Sequence, residues 1–387
     1  MLYEKAWIGS SAPESNDSWV LIPELLIKET FHRISPSLHG RFQEIYFLEN
    51  NLADFVTWPI VLDELLRLTQ GKAKIHIKIR FSSSFFSIAT FNNKVYSSTN
   101  GKIKLLSFEV VSDSVILSFE VDRAPKILDN NWTFGIVWDG KNKHFLESFI
   151  KSVHQQSTSV QYEIIICGPV TNLENDENCI FISADELTEQ LSNISVKKNM
   201  IVENANFSNV CIVHNRYQLD TDFIKSFTEF GLDYDVVVVK QIMQDGQRVP
   251  DWITQGSNFI FTQNYLMEYD DYSPYQYIGG GMIVAKREIL LKHQWNSIGV
   301  WNTGEDIELS ERLRGAGIQA RFNPFTYATV LSLRQGILED FILLKSDDIY
   351  KNSYDVYNNK ILFSKSLFLK LKAKFNFIKN IYIKKRE

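Results

Sequence analysis

YIGGGMIVAKREILLKHQWNSIGVWNTGEDIELSERLRGAG, residues 277–317, joins a run of three glycines to a pair of adjacent carboxylates. Gly279, Gly280 and Gly281 lead into the apolar run 282–285, so backbone without side chains stands at the start of a strand. A ligand can approach closely there, or the chain can simply bulge. Further on, Thr303-Gly304-Glu305-Asp306 precedes a segment whose Ile307, Leu309 and Leu313 predict a buried helix face, stopped by Gly315 and Gly317. Amide dipoles at a helix N-terminus favour an ionised carboxylate, and Asp306 facing a cleft is a candidate general base. In an isolated Gly-Glu-Asp the same two acids are an ordinary acidic first turn. Trp295 and Trp301 flank this motif and can either present an aromatic face to a ligand or fill a core.

Upstream of this stretch, strands and helices alternate from Trp132. WTFGIVWDG is an apolar strand, KNKHFLESFIKSVHQQ an amphipathic helix and YEIIICG a second apolar strand, which together predict a parallel βαβ unit. Strands are predicted at CIFIS, NVCIVHN and YDVVVVK, with a helix at TDFIKSFTEFG between the last two. The expected fold class is α/β, a doubly wound and mostly parallel sheet, in which ligands bind beyond the carboxyl ends of the strands.

Residues 1–128 carry a different pattern. EIYFLE and KIHIKI bracket the amphipathic PIVLDELLRLT, and KIKLLSFEVV and SVILSFEV predict a hairpin near residues 102–121. The order resembles the later half of a Rossmann-like methyltransferase, but no glycine-rich turn follows a strand. A small α/β accessory domain is therefore expected, degenerate for cofactor binding. The polar stretch 124–131 marks the boundary, giving an accessory domain at 1–128, a catalytic domain at 129–345 and a tail at 346–387.

With 387 residues and 44% hydrophobic content, the chain is long enough for two cores. A net charge of −5 excludes a general nucleic-acid binder, which needs a broad basic surface. Cys167, Cys179 and Cys211 are too scattered for a disulfide framework or a zinc knuckle and read as reduced thiols of a cytosolic protein. No stretch reaches the roughly 18 apolar residues of a membrane span. The tail SKSLFLKLKAKFNFIKNIYIKKRE alternates Lys with Leu, Phe and Ile, as expected either of a segment lying on an anionic membrane surface or of a terminal helix packed on the body. The expected location is the cytoplasm, peripheral to the inner face of the membrane if the tail binds it.

Taken in order, these motifs resemble the inverting GT-A glycosyltransferases, in particular the large family 2 that includes bacterial polysaccharide enzymes. The resemblance covers about residues 132–335. WTFGIVWDGKN, LESFIKSVHQQ and YEIIICG look like that family's opening strand, helix and strand. Lys197-Lys198-Asn199 looks like its basic and amide pair preceding the next helix. NVCIVHNRY resembles the strand that ends in the diphosphate and metal site, and GEDIELSERL resembles the Glu-Asp motif whose aspartate deprotonates the acceptor.

The resemblance implies Asp306 as the base with Glu305 in support. It places Asp139, Lys198, Asn199, His214, Asn215, Arg216, Gly280 and Gly281 at the donor and Trp301 at the acceptor. The partners implied are a nucleotide-diphosphate sugar, with a lean toward uridine, and a glycan or lipid-linked acceptor in surface polysaccharide synthesis. The family's acidic metal motif is replaced here by His214-Asn215-Arg216. A Mn²⁺ or Mg²⁺ cofactor is therefore open, with Asn215 or the literal Asp220-Thr221-Asp222 as ligands. Asp220 or Asp222 can equally cap the following helix, and Arg216 or His214 can neutralise the diphosphate in place of a metal. The rival readings are a nucleotidyltransferase, disfavoured by the single glycine in WDGKNKH, and a degenerate sugar- or partner-binding module, favoured by Asn215.

Overall fold

The change of pattern near residue 128 produces two separate sheets in the computed structural model. It describes residues 3–345 apart from 14–17, 82, 84, 124–127, 170–177, 256–263, 301–302 and 335. Trp301 and the basic tail lie outside the described residues.

In the first sheet β1 (Tyr3–Trp7), β2 (Val20–Leu21), β3 (Phe42–Phe47) and β4 (Thr69–Ile79) pair in parallel. The hairpin of β5 (Ile103–Val111) and β6 (Ser114–Arg123) extends it, in the order β2-β1-β3-β4-β6-β5. Its helices are α1 (Trp58–Arg67) and α2 (Ile88–Ser98). The sequence pattern anticipates β3, α1, β4 and the hairpin. It misses β1, which has no β-branched residue, and α2, whose polar IATFNNKVYSS is started by Ser87 accepting from the Thr90 N–H.

All ten residues of α1 are buried. Its Val61, Leu62, Leu65 and Leu66 join Ile45, Ile75 and Ile77 in the first core, while Asp63, Glu64 and Arg67 press against the second half of the chain. There Arg321 Nη1 sits 2.5 Å from Glu64 Oε1 and 3.3 Å from Asp63 Oδ2, and Arg67 Nη1 sits 2.6 Å from Asp233 Oδ1. Arg33 donates to Glu64 and to the Phe230 carbonyl, and Lys94 reaches Asp63 and the Gly317 carbonyl. The described residues accordingly form one compact unit.

The second sheet contains β7 (Trp132–Val137), β8 (Tyr162–Cys167), β9 (Cys179–Ile182), β10 (Asn209–His214), β11 (Tyr217–Leu219), β12 (Val236–Met243), β16 (Met282–Lys286) and β17 (Ala320–Val330). Between β12 and β16 lie β13 (Trp252–Gln255), β14 (Asn264–Leu266) and β15 (Gln276–Ile278), which form a small sheet with β18 (Ile342–Leu343). The large sheet has the order β11-β17-β12-β16-β10-β7-β8-β9. β7, β8, β9 and β10 are parallel, and β16 is antiparallel to both of its neighbours.

Helices cover both faces. Leu146, Phe149 and Val153 of α3 (Lys143–His154) and the Phe-rich α6 (Phe223–Phe230) pack with Trp132, Phe134 and Ile136. On the other face Gly135 lies under Ile201 of α5 (Ile194–Asn204): a Cβ at Gly135 would come within 2.4 Å of the Ile201 side chain. The remaining helices are α4 (Glu186–Gln190), α7 (Arg287–Lys292) and α8 (Glu305–Gly315). The chain leaves β7 toward β8 and β9, then returns to β10 on the other side of β7. That reversal is a topological switch point, which opens a crevice beyond the carboxyl ends of β7 and β10. No helix among the described residues is long and apolar enough to cross a membrane.

Candidate functional site

Two chain segments meet the crevice from the first side of the switch point. After β7 the turn is pinned from within: Trp138 Nε1 donates to the Lys141 carbonyl at 2.9 Å, and Lys197 Nζ donates to the Trp138 carbonyl at 3.0 Å. Asp139 is exposed on this turn and accepts from the Lys141 N–H at 3.0 Å. After β10, Asn215 Nδ2 donates to the Lys141 carbonyl at 3.1 Å, so Asp139 and Asn215 hold opposite ends of one peptide pair.

The other wall is made by the glycine run and α8. Gly304, with φ of 78°, takes the left-handed conformation that starts α8, so Glu305 and Asp306 occupy its first turn, at the helix N-terminus where the sequence pattern puts them. Leu309 and Leu313 anchor the helix, and Glu305 is 7% exposed. Asp306 Oδ2 accepts from the Gly280 N–H at 2.8 Å and Oδ1 from its neighbour Ile307 N–H at 2.9 Å. Lys198 closes the cluster. Its Nζ, on a side chain 2% exposed, donates to the Gly280 carbonyl at 2.9 Å and lies 3.3 Å from Glu305 Oε1.

Burial, with the charge of Glu305 behind it, raises the Asp306 carboxyl above the usual range, while Lys198 and the two backbone N–H donors pull it back down. The effect points the way a general base working near neutral pH requires. Beside it, His214 is held well below the ordinary imidazole range by burial and by the charges of Lys198 and Arg216. His214 Nε2 and Arg216 Nε are buried atoms without a hydrogen-bond partner. Gly281 accepts from the His214 N–H at 3.0 Å and must lack a side chain, because a Cβ would lie 2.3 Å from the Tyr217 hydroxyl.

Other candidates are placed elsewhere. Lys197, Lys198 and Asn199 lie inside α5, not before a helix, because Asn193 caps that helix by accepting from the Val196 N–H. Both ends of the Asn199 amide are taken by the Trp295 backbone, at 2.8 and 2.9 Å, so it fixes the loop before α8. Trp295 is 3% exposed and packs under Lys198 Nζ, 5.3 Å from the ring centroid, which leaves no face for a sugar.

Asp220 and Asp222 do not join the cluster. Gln156, just past the C-terminal end of α3, donates to the Asp220 carbonyl, whereas Asp139 and Asn215 lie at the N-terminal end of that helix. The 12 residues of α3 put about 18 Å between the two ends. Asp222 takes the N-cap position of α6, as the capping alternative anticipates, without a side-chain cap bond.

Tyr277 is a participant that the sequence reading passed over. It is buried, and burial and the Asp306 charge together raise its hydroxyl pKa. The only trace of it in sequence is an aromatic residue two positions before the glycines.

No protein-family profile and no curated protein matches the sequence. Among solved structures, that of S. aureus TarS 1-349 is similar at a TM-score of 0.38 and 12% identity, over 51% of this chain and 60% of that one. A second structure of S. aureus TarS is similar at a TM-score of 0.38 and 11% identity, over 61% of this chain. The chain spans 44% of the length of that second structure. A likeness at this score bears on neither the site nor its chemistry.

Proposed function

We propose that the chain is an inverting GT-A glycosyltransferase. It would move a sugar from a nucleoside diphosphate, uridine by family resemblance, to a hydroxyl of a glycan or lipid-linked acceptor in surface polysaccharide synthesis. One observation carries the reading. At the switch-point end of the sheet, a carboxyl with a raised pKa, Asp306, is bound to the bare backbone of Gly280 and backed by the Glu305–Lys198 pair. Catalytic bases sit in such surroundings, and a glycine there lets a sugar approach the backbone.

In this reaction Asp306 takes the proton of the acceptor hydroxyl. The freed oxygen attacks the anomeric carbon from the side opposite the nucleotide. The bond from that carbon to the diphosphate oxygen breaks, its electron pair leaves with the diphosphate, and the new glycosidic bond is inverted. Glu305 holds Lys198 against the Gly280 carbonyl and keeps the Asp306 carboxyl basic through its own charge.

Asp306→Asn keeps the shape and removes the base. Turnover should fall about a hundred- to ten-thousand-fold while nucleotide affinity stays within about twofold, and an unchanged turnover overturns the assignment. A second reading, a sugar- or partner-binding module without turnover, is favoured by Asn215 standing where the family carries an acid. Donor transfer or donor hydrolysis by the wild-type chain separates the two.

A further inference from the structure

The family resemblance brings with it a divalent cation at the end of β10, and the residues present there do not fit one. Asn215 spends its amide N–H on the Lys141 carbonyl and offers a single neutral oxygen. Asp139, across the switch point, has one carboxylate oxygen engaged by the Lys141 N–H. Hard cations such as Mg²⁺ take about six oxygens in near-octahedral array, with carboxylates among them. Among the described residues no three His, Cys, Asp or Glu side chains converge as a ligand set.

Two cationic side chains, Lys198 and Arg216, stand near the position, and Lys198 is already paired with Glu305. Lys198 and Arg216 both act electrostatically on His214, and Lys198 is 1% exposed. The buried Arg216 Nε is a donor with nothing to donate to, and His214 Nε2 is a second buried ring nitrogen without a partner. Buried donors without partners are costly, and a bound anion with several acceptor oxygens would satisfy them.

We infer that the diphosphate of the donor is held by Arg216 and His214 beside Lys198, without a resident divalent cation. This rests on the donor-site reading above and adds to it how the leaving group is stabilised. As the bond to the anomeric carbon breaks, negative charge grows on the departing phosphate oxygen, and the fixed charge of Arg216 meets it in a partly buried setting.

The test is titration calorimetry of the full-length chain with UDP, GDP, CDP and ADP, each in EDTA and again with Mn²⁺. One nucleoside diphosphate should saturate with the same Kd, within about twofold, in both conditions. Arg216→Ala should weaken it roughly ten- to a hundredfold, the loss of a charge-assisted bond. His214→Gln, which retains a donor, should cost less, and thermal unfolding of each variant establishes that it is folded. Asn215→Asp should weaken binding in EDTA and make it respond to Mn²⁺. Binding that appears with Mn²⁺ and vanishes in EDTA overturns the metal-free inference and leaves the donor site standing. Absence of binding by folded protein in every condition overturns the donor-site reading itself.

Discussion

The Gly280 N–H donates to Asp306 Oδ2 at 2.8 Å, and the Gly280 carbonyl accepts from Lys198 Nζ at 2.9 Å. One residue without a side chain therefore holds both the candidate base and the cation beside it. A Cβ at this position would lie 2.7 Å from Glu305 Oε1 and 3.1 Å from Asp306 Oδ2. Gly280→Ala should displace both carboxylates by a few tenths of an ångström and lower kcat by about a hundredfold, with overall stability little changed. Steady-state kinetics beside a urea melt checks this, and wild-type kcat in the variant would show that the contact does not position the base.

The electrostatics of Asp306 give a pH prediction with a definite sign. A base is active when deprotonated, so activity should rise with pH through an apparent pKa above the ordinary aspartate value of about 3.9. Glu305→Gln removes a like charge and should move that acid limb to lower pH. Lys198→Gln removes an opposing charge and should move it higher. The kcat profiles of the three proteins test this, and two variants that shift in the same direction would contradict it.

Asp220 and Asp222 form a literal Asp-x-Asp, yet they lie at the far end of α3 from the cluster. Asp222 is partly exposed, with Lys225 at 3.8 Å, and makes no cap bond. Asp222→Ala should leave kcat, nucleotide binding and any Mn²⁺ response unchanged and alter stability by no more than about 0.5 kcal/mol. A tenfold loss of activity would place a metal there after all.

Much of the sheet was legible in sequence because its strands are buried on both faces and read as unbroken apolar runs: β7, β8, β10 and β12 fall where those runs predict. Three-residue β11 and the charged β1 carry too little pattern to be seen. Glu305 and Asp306 were legible as a local motif, and Gly280 as part of a run. The contact between Lys198 and Glu305 was not, since 107 positions separate them and only the sheet order brings α5 beside α8. Asn199 and Trp295 illustrate the opposite failure. Their residue types suited a ligand, and the structure uses them on each other. The charged face of α1 reads as a solvated surface by periodicity alone, because nothing local records the second half of the chain that covers it.

That covered face supplies a stability prediction. Glu64 is fully buried between Arg33 at 2.7 Å and Arg321 at 2.5 Å, and Asp63 faces Arg67, Lys94 and Arg321. Desolvation opposes the charged state of both acids, but the surrounding cations win and hold Asp63 and Glu64 well below the carboxylate range. A depressed folded pKa contributes stability that is present above the unfolded values, about 3.9 for Asp and 4.3 for Glu, and lost as pH falls below them. The junction between α1 and β17 should therefore weaken on acidification below about pH 4. At neutral pH, Glu64→Gln would strand two buried guanidinium groups and should cost about 3–5 kcal/mol in a urea melt. Pairing it with Arg321→Met should recover part of that loss, because the second change removes one of the stranded charges. If the double variant is less stable than the sum of the two single losses, the pair is not the contact that joins the halves.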